Sequence, residues 1–249
     1  MEIIETNKIK MPERVLVFSQ IGTGKSTLAA SAPKPIFINL EDRLSEVNAK
    51  AFPIPKSYAD FREQLIWLYK EEHEFETVVV DTADALESLI YKQVCSDNNV
   101  KNISDIGFGG GYTQSLNYFL KTIDALNVLR KEKHMRIIVL AHSQVKLYNN
   151  PLGADYDMIK IKLRDKHAEL FLERMDIVGY LHIPIYTSEQ QKGFGGKKVK
   201  ASGSQDRVFS CYKSVAFETK DSYGIDYDIE IPKENGYQNI LDAIKETRK

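Results

Sequence analysis

A glycine-rich turn between an apolar run and a helical stretch constrains the fold of this chain more than any other feature. Residues 15–18 (VLVF) form the apolar run, residues 19–27 (SQIGTGKST) form the turn, and the helical pattern continues to residue 31. Backbone N–H groups converge on a phosphate most easily where no Cβ intervenes, which is why such a turn uses glycine. The segment therefore predicts a strand, a phosphate-binding loop (P-loop) and a helix in succession.

The residue types in this P-loop predict the binding of a triphosphate, with ATP and Mg²⁺ as the expected ligands. A lysine at this position reaches the β- and γ-phosphates, and the hydroxyl group after it binds the metal ion. One position departs from the pattern, because Ser19 stands where the first glycine is usual. We expect it to alter the loop entrance without abolishing binding; the alternative is an incidental glycine-rich turn. The predicted nucleotide-binding residues are Gly22, Thr23, Gly24, Lys25, Ser26 and Thr27.

Continuous apolar runs alternate with helical patterns along the first part of the chain. The longest helical pattern covers residues 114–133, and a shorter one covers residues 58–72. Continuous runs suit strands that are buried on both faces of a parallel sheet, and the alternation implies right-handed crossovers. We therefore predict an α/β fold with a mainly parallel sheet flanked by helices. The runs cover residues 15–18, 35–40, 77–81 and 136–141.

The last third of the chain lacks the alternation of apolar runs and helical patterns. Strand-like pieces at residues 178–185 and 208–212 flank a Gly/Lys-rich turn at residues 191–198. This pattern predicts a β-hairpin extension of the sheet. We expect a single domain over residues 1–249, with a core at about 12–180 and a β-rich C-terminal extension at about 181–249.

Composition limits the class of protein only weakly. Basic and acidic residues nearly cancel, 34 against 35, so net charge neither indicates nor excludes a nucleic-acid partner. Cys95 and Cys211 stand outside any metal-binding spacing, which disfavours a zinc site or a disulfide framework. No run approaches the ~18 apolar residues that cross a bilayer, and no signal-peptide pattern opens the chain. We expect a cytoplasmic protein with no membrane partner.

A carboxylate at the end of the third apolar run is a candidate metal ligand. Asp81 directly follows residues 77–80 (TVVV), and a carboxylate at a strand end beside a P-loop holds Mg²⁺ through water. Ser26 supplies the second predicted metal contact. The alternative is that Asp81 only caps the following helix.

Three further polar residues follow strand-like runs and complete the predicted catalytic set with Lys25. Glu41 follows the second run and is a candidate for orienting or deprotonating the attacking water. His142 and Gln144 follow the fourth run, where a polar side chain could contact the γ-phosphate and report its presence to the next loop. A surface-turn glutamate and a solvated or structurally buried histidine are the alternatives.

The order of these motifs resembles the RecA core. Residues 37–41 (FINLE) look like the RecA segment in which a strand ends in the catalytic glutamate, although Asn39 stands where an acidic residue is common. The chain is more similar still to phage-encoded ATP-binding proteins of the RecA/AAA type, a family that includes single-strand annealing proteins of phage recombination. This similarity spans most of the chain and is carried by residues 110–112, 126–130, 141–146, 176–178, 200–203 and 207–208.

The resemblance implies a RecA-like ATPase that binds, anneals or pairs single-stranded DNA, in the host cytoplasm if phage-encoded. It implies head-to-tail assembly into a ring or filament, with the nucleotide between neighbouring subunits. A cation from the next subunit would then complete the site in trans, and Lys220 resembles the family's position for such a residue. A single-strand-binding or replication protein is a further implied partner.

Two segments are candidates for contact with DNA. Residues 103–112 form a glycine-bearing loop with Phe108 and Tyr112, which could stack on bases. Residues 146–166 carry positive charges that could track a phosphate backbone, although nearby aspartates dilute that field. A solvated surface strand with ordinary salt bridges is the alternative there. These charges belong to Lys146, Lys160, Lys162, Arg164 and Lys166.

Two other functions share the P-loop with the DNA-dependent ATPase. A P-loop kinase that phosphorylates a small molecule needs an acceptor pocket and usually an arginine-rich lid, and the basic residues here are mostly lysines in predicted loops. A nucleotide-switched loader, with a protein partner and no DNA binding of its own, shares every nucleotide-site residue. Salt-sensitive binding to single strands separates the leading hypothesis from both.

Overall fold

Ten strands of the described residues form one sheet at the centre of the fold. The computed structural model describes residues 11–42, 47–192, 196–203 and 206–247, with side chains outside residues 185–203. The strands are β1 (Arg14–Ser19), β2 (Pro35–Asn39), β3 (Lys50–Ala51), β4 (Thr77–Asp81), β5 (Arg136–Tyr148), β6 (Tyr156–Ile161), β7 (Ile177–His182), β8 (Ile185–Lys192), β9 (Gly196–Gly203), β10 (Arg207–Ser210), β11 (Lys220–Asp221) and β12 (Ile229–Ile231). The α-helices are α1 (Lys25–Ala30), α2 (Tyr58–Lys70), α3 (Ala83–Asp97), α4 (Gly110–Glu132), α5 (Asp165–Arg174) and α6 (Gly236–Thr247).

The predicted parallel sheet is confirmed. Its order is β12-β10-β7-β1-β5-β4-β2-β3, and the strands from β7 to β3 are parallel. Because β5 lies between β1 and β4, the carboxyl ends of the P-loop strand and the Asp81 strand flank the same neighbour. The register places Ser19 level with His142, and Asp81 level with Asn39. The polar residues that follow the strands therefore meet at one edge of the sheet.

Helices cover both faces of the sheet, which explains why its strands are apolar without alternation. Val15 and Val17 of β1 belong to a buried cluster that includes α1 and α6. Leu16 and Phe18 belong to a second cluster, which includes residues of α2, α3, α4 and α5. Adjacent side chains of a strand point to opposite faces, so one strand contributes to both clusters.

The segment at residues 103–112 differs from the predicted loop. It forms two short 3₁₀ turns, at Ile103–Asp105 and Gly107–Gly109, and α4 begins at Gly110 rather than at residue 114. Gly111 allows this close packing, because a Cβ there would lie 2.6 Å from the carbonyl oxygen of Ile103. Glycines that looked like loop residues in the sequence therefore serve helix packing in the fold.

Residues 146–166 contain the end of one strand, a second strand and the start of a helix, joined by short irregular segments. Strand β5 continues beyond its pairing with β1 and β4 to Tyr148 and pairs antiparallel with β6, from Ser143 opposite Ile161 to Tyr148 opposite Tyr156. Helix α5 then begins at Asp165. The fourth predicted strand was too short because its second half gains its hydrogen bonds from β6, which a local apolar pattern does not reveal.

The strands predicted at residues 178–185 and 208–212 correspond to β7 and β10, which pair antiparallel in the main sheet. Between them, β8 and β9 pair with each other as a separate two-stranded sheet, which the sequence pattern did not predict. The basic cluster of this two-stranded sheet (Lys192, Lys197, Lys198 and Lys200) has side chains outside the described residues. Strand β10 returns to the main sheet beside β7, and β12 pairs with β10. Helix α6 packs in the same buried cluster as α1. Residues beyond 181 therefore contribute to the central sheet and its core, and the proposed division of the domain stays a prediction.

Candidate nucleotide site

The turn between β1 and α1 has the backbone that its glycines permit. The φ angle is 81° at Gly22 and 93° at Gly24, in the left-handed region that side chains disfavour. The hydroxyl of Thr23 donates a hydrogen bond of 3.0 Å to the carbonyl oxygen of Gln20, which closes the turn. The structure therefore has the strand, loop and helix that the sequence predicts.

The serine that departs from the P-loop pattern contacts the P-loop lysine. The Lys25 ammonium lies 3.2 Å from the Ser19 hydroxyl oxygen, to which it donates, and 3.5 Å from the carbonyl oxygen of Gln20. Ser19 is fully buried and donates its own hydroxyl to the Gln20 carbonyl at 2.8 Å. Ser19 thus holds the lysine ammonium at the base of the loop.

The two predicted metal ligands lie in direct contact. The hydroxyl of Ser26 donates a hydrogen bond of 2.7 Å to Oδ2 of Asp81. Burial raises the pKa of Asp81, and the nearby negative charge of Glu41 raises it further, whereas the Ser26 hydrogen bond opposes both. A hydroxyl and a carboxylate are ligands that Mg²⁺ prefers, and a cation relieves the burial of a carboxylate. The pair therefore fits a Mg²⁺ ion.

Thr82 connects the Asp81 strand to Glu41. Its hydroxyl donates a hydrogen bond of 2.8 Å to Oε1 of Glu41, and the backbone N–H of Glu41 donates to Oδ1 of Asn39 at 3.2 Å. The same threonine is the N-cap of α3, accepting from the N–H of Ala85. The helix-capping role considered for Asp81 thus belongs to the next residue.

His142 lies next to Glu41 and is held by Asp84. Its Nδ1 lies 2.8 Å from Oδ2 of Asp84, its backbone N–H donates to Oδ1 at 3.0 Å, and Nδ1 lies 3.6 Å from Oε1 of Glu41. Burial would raise the pKa of Asp84, but the hydrogen bonds from the ring and backbone of His142 outweigh it and lower that pKa. An ionised Asp84 accepts a hydrogen bond from Nδ1–H, which fixes the orientation of the imidazole ring.

One cavity of about 200 Å³ collects these groups. The P-loop forms one wall, and the other is formed by Glu41 after β2, by Asp81 and Thr82 at the end of β4, and by His142 within β5. The structure therefore brings together most of the nucleotide-binding, metal and catalytic residues that the sequence predicts. The polar and charged side chains that line the cavity belong to Lys25, Ser26, Thr27, Glu41, Asp81, Thr82 and His142.

A family model decides the assignment of this chain. The AAA domain model matches residues 11–223, which covers the P-loop, Asp81 and the His142 strand. The chain belongs to the AAA domain family. The prediction of a P-loop NTPase fold is thereby confirmed, whereas membership of the phage annealing group stays a prediction.

Two comparisons place this AAA-domain chain among known proteins. It is 21% identical over 206 residues to the SPbeta prophage-derived uncharacterized protein YorG of Bacillus subtilis (strain 168). That match covers 70% of this chain and 63% of YorG, so the chain spans less than two thirds of the relative's length. Among solved structures it is similar to the RadB recombinase, with a TM-score of 0.41, 11% identity, and coverage of 77% of this chain and 87% of that chain.

Two predicted residues of this AAA-domain chain lie away from the cavity. Gln144 donates its side-chain amide to the carbonyl oxygens of Ile161 and Leu163, at 2.8 and 3.3 Å, and lines a neighbouring cavity instead. Lys220 lies in β11 and donates to the carbonyl oxygen of Glu173 at 3.1 Å. Gln144 is thus separated from the P-loop by its role in holding the end of β6, and a role of Lys220 in trans stays a prediction.

The candidate DNA-binding residues divide into paired and exposed groups. Lys146 forms an ion pair with Asp165 at 2.6 Å, and Lys160 forms one with Glu218 at 3.1 Å, as the salt-bridge alternative expected. Tyr112 is half-buried, and the guanidinium carbon of Arg164 lies 3.8 Å from its ring centre. The exposed candidates are Phe108, Lys162, Arg164 and Lys166.

Three site residues were missed by the sequence reasoning. Thr82 and Asp84 directly follow the third strand, so their position beside Asp81 was the available signal. Arg207 had no such signal, because it contacts the P-loop from 183 residues away.

None of the helices in the described part of the chain is long and apolar enough to span a membrane.

Proposed function

We propose that this protein is a Mg²⁺-dependent ATPase that acts on single-stranded DNA during phage recombination. The observation that carries the ATPase proposal is the convergence of Lys25, the Ser26–Asp81 pair and Glu41 on one cavity. A lysine and a metal site bind a triphosphate, and a carboxylate beside them is positioned to activate water. The proposal therefore goes beyond nucleotide binding to hydrolysis.

Each residue has a distinct task in the proposed hydrolysis. The water oxygen bonds to the γ-phosphorus while the bond from that phosphorus to the β–γ bridging oxygen breaks, which yields ADP and inorganic phosphate. Glu41 accepts the proton of the water, in an orientation maintained by Thr82. Lys25 places positive charge at the phosphates. Mg²⁺, held by Ser26 and through water by Asp81, would neutralise phosphate charge when bound.

A single surface supports the proposal of DNA binding. The stacking of Arg164 on Tyr112 joins the turn that carries Phe108 to the basic segment at the start of α5. Phe108 is fully exposed on this surface, and an exposed ring can stack on an unpaired base. The exposed Lys162 and Lys166 add positive charge to the same segment. YorG is described as prophage-derived, which is in keeping with a phage role.

We further propose that the protein assembles with copies of itself. A head-to-tail ring or filament would place the nucleotide cavity of one subunit against its neighbour, and Lys220 of that neighbour is the proposed trans-acting cation. A single-strand-binding or replication protein is the proposed further partner. Size-exclusion chromatography with light scattering, with and without ATP and single-stranded DNA, tests the assembly directly.

The decisive experiment measures ATP turnover with and without single-stranded DNA, together with DNA affinity at low and high salt. We expect DNA to stimulate turnover and Lys25→Ala to abolish it, whereas the exposed Lys92→Ala serves as the matched control. An ATPase that binds no oligonucleotide at low salt would instead be a nucleotide-switched loader. Transfer of phosphate to a nucleoside rather than to water would indicate a kinase.

A further inference from the structure

The guanidinium of Arg207 lies against the P-loop from the C-terminal side of the sheet. Its Nη1 lies 3.3 Å from the carbonyl oxygen of Gly24 and 3.5 Å from that of Thr23, and it donates to both. Its Nη2 donates to the carbonyl oxygen of Pro232 at 2.8 Å. A Cβ built on Gly24 would lie only 2.2 Å from Nη1, so the arginine covers the bare Cα of that glycine. Arg207 and the P-loop are therefore packed together.

These contacts help to hold the direction of two peptide groups of the P-loop, and the Gly24 carbonyl oxygen also accepts a hydrogen bond of 3.0 Å from the N–H of Leu28. A trans peptide is planar, and its C=O and N–H point in opposite directions. The carbonyl groups of Thr23 and Gly24 face Arg207, so the N–H groups of Gly24 and Lys25 point away from it. Gly24 and Lys25 line the nucleotide cavity. An arginine that binds the carbonyl oxygens thus orients the N–H groups that a P-loop uses for phosphate.

Arg207 also carries a positive charge beside an anion site. Its hydrogen bonds in the described structure go to backbone carbonyl oxygens, which do not neutralise a guanidinium. Burial lowers the pKa of Arg207, but a guanidinium remains charged in proteins. Its charge therefore favours an anion on the far side of the same peptide groups.

We propose that Arg207 is a positioning residue of the triphosphate site, which orients the peptide groups of the P-loop toward the phosphates. This inference rests on the proposed function, because it requires that the P-loop bind ATP. Arg207 does not line the cavity, so it acts through the loop rather than on the reacting atoms. Its loss should weaken nucleotide binding while leaving turnover at saturating ATP nearly unchanged.

The test compares Arg207→Ala and Arg207→Lys with wild type by isothermal titration of ATP with Mg²⁺, and by kcat and KM. We expect Arg207→Ala to raise Kd about 10-fold. The loss of a hydrogen bond that involves a charged group typically changes an equilibrium constant by about a factor of ten or more. Arg207→Lys should recover part of the affinity, because it keeps the charge but not the planar fork. The matched control is Arg62→Ala, an exposed arginine of α2.

The outcomes separate this inference from the proposed function and from a merely structural role. Unchanged ATP affinity in Arg207→Ala overturns the inference if wild type binds ATP and Lys25→Ala does not. A fall in urea stability with unchanged Kd overturns it as well, because it assigns Arg207 to packing only. If wild type itself binds no ATP, the proposed function fails and the inference falls with it. An increase in Kd and KM at constant kcat, partly restored by lysine, supports it.

Discussion

The Lys25 ammonium donates a hydrogen bond to the Ser19 hydroxyl, 3.2 Å away, so the one unusual P-loop residue contacts the phosphate-binding lysine. In a loop with glycine at that position, no such hydroxyl is available. We expect the ammonium to exchange the hydroxyl of Ser19 for phosphate oxygens when a triphosphate binds. That exchange would oppose nucleotide binding and make the affinity sensitive to a residue outside the cavity lining.

Removing that hydroxyl should strengthen nucleotide binding. We expect Ser19→Ala to lower the Kd for ATP by up to about 5-fold, because a net hydrogen bond of about 1 kcal/mol no longer competes with the phosphates. Isothermal titration measures the effect, with the exposed Ser96→Ala on α3 as the control. Weaker ATP binding in Ser19→Ala would show that the hydroxyl prepares the lysine for phosphate instead of competing for it.

Removing the charge of Glu41 should separate binding from hydrolysis. Glu41→Gln keeps the shape of the side chain but cannot accept the proton of water, so we expect kcat to fall by about 10² to 10⁴. The Kd for ATP should remain within about 3-fold of wild type, because a proton acceptor acts in the transition state. Steady-state turnover and titration measure the two quantities, and Glu63→Gln on the exposed face of α2 is the control. Unchanged turnover would move the catalytic role to another group such as Asp42.

The Asp84–His142 contact should make stability depend on pH in a definite direction. The pKa of Asp84 lies below its ordinary value of 3.8, so its ionised form stabilises the folded state. That contribution is present above the ordinary pKa and is lost as the pH falls through the lower folded-state pKa. We expect Asp84→Asn to reduce the free energy of unfolding at pH 7 by about 1.5–3 kcal/mol. Urea titrations should show the difference shrinking below pH 4 or so, whereas a pH-independent difference would contradict the assignment.

Exposed lysines should contribute to DNA binding more than paired ones. Lys162→Ala and Lys166→Ala should each reduce the slope of log K against log salt by about 1. Each lost contact with a DNA phosphate means that about one counterion fewer is released on binding. Lys160→Ala should change the slope less, because Lys160 already pairs with Glu218. Fluorescence anisotropy with a labelled single strand from 50 to 200 mM salt or so measures the slopes. Equal slopes in wild type and both exposed-lysine variants would remove this segment from the DNA interface.

The two cysteines should report whether β10 packs into the core. Burial raises the pKa of Cys211 to about 12, and the nearby charge of Asp221 acts in the same direction. Cys211 is fully buried and Cys95 is partly exposed. Only the thiolate reacts with iodoacetamide, so we expect Cys95 to be alkylated at pH 8 and Cys211 to be protected until denaturant is added. Mass spectrometry of the labelled protein measures both sites, and rapid labelling of Cys211 would contradict the packing.

Sequence reasoning was most reliable where a motif is local. The P-loop, the buried strands and the polar residues that end them depend on contacts between near neighbours or on burial of a whole strand. It was less reliable for segments whose partner lies elsewhere, such as β5, which continues to Tyr148 because β6 pairs with it. Gln144 is a second example, because its side chain donates to carbonyl oxygens at and just after the end of β6, which the local sequence does not reveal.

The sequence by itself determined that Gly22, Gly24, Lys25 and Ser26 form a P-loop, because backbone stereochemistry requires glycine at left-handed positions. Only the tertiary structure decided what surrounds that loop. Arg207 reaches Gly24 across 183 residues, and Asp84 meets His142 across 58, through strand order that no local pattern specifies. Long-range contacts of this kind depend on how the whole sheet is assembled, and that assembly sets the electrostatics of the nucleotide site.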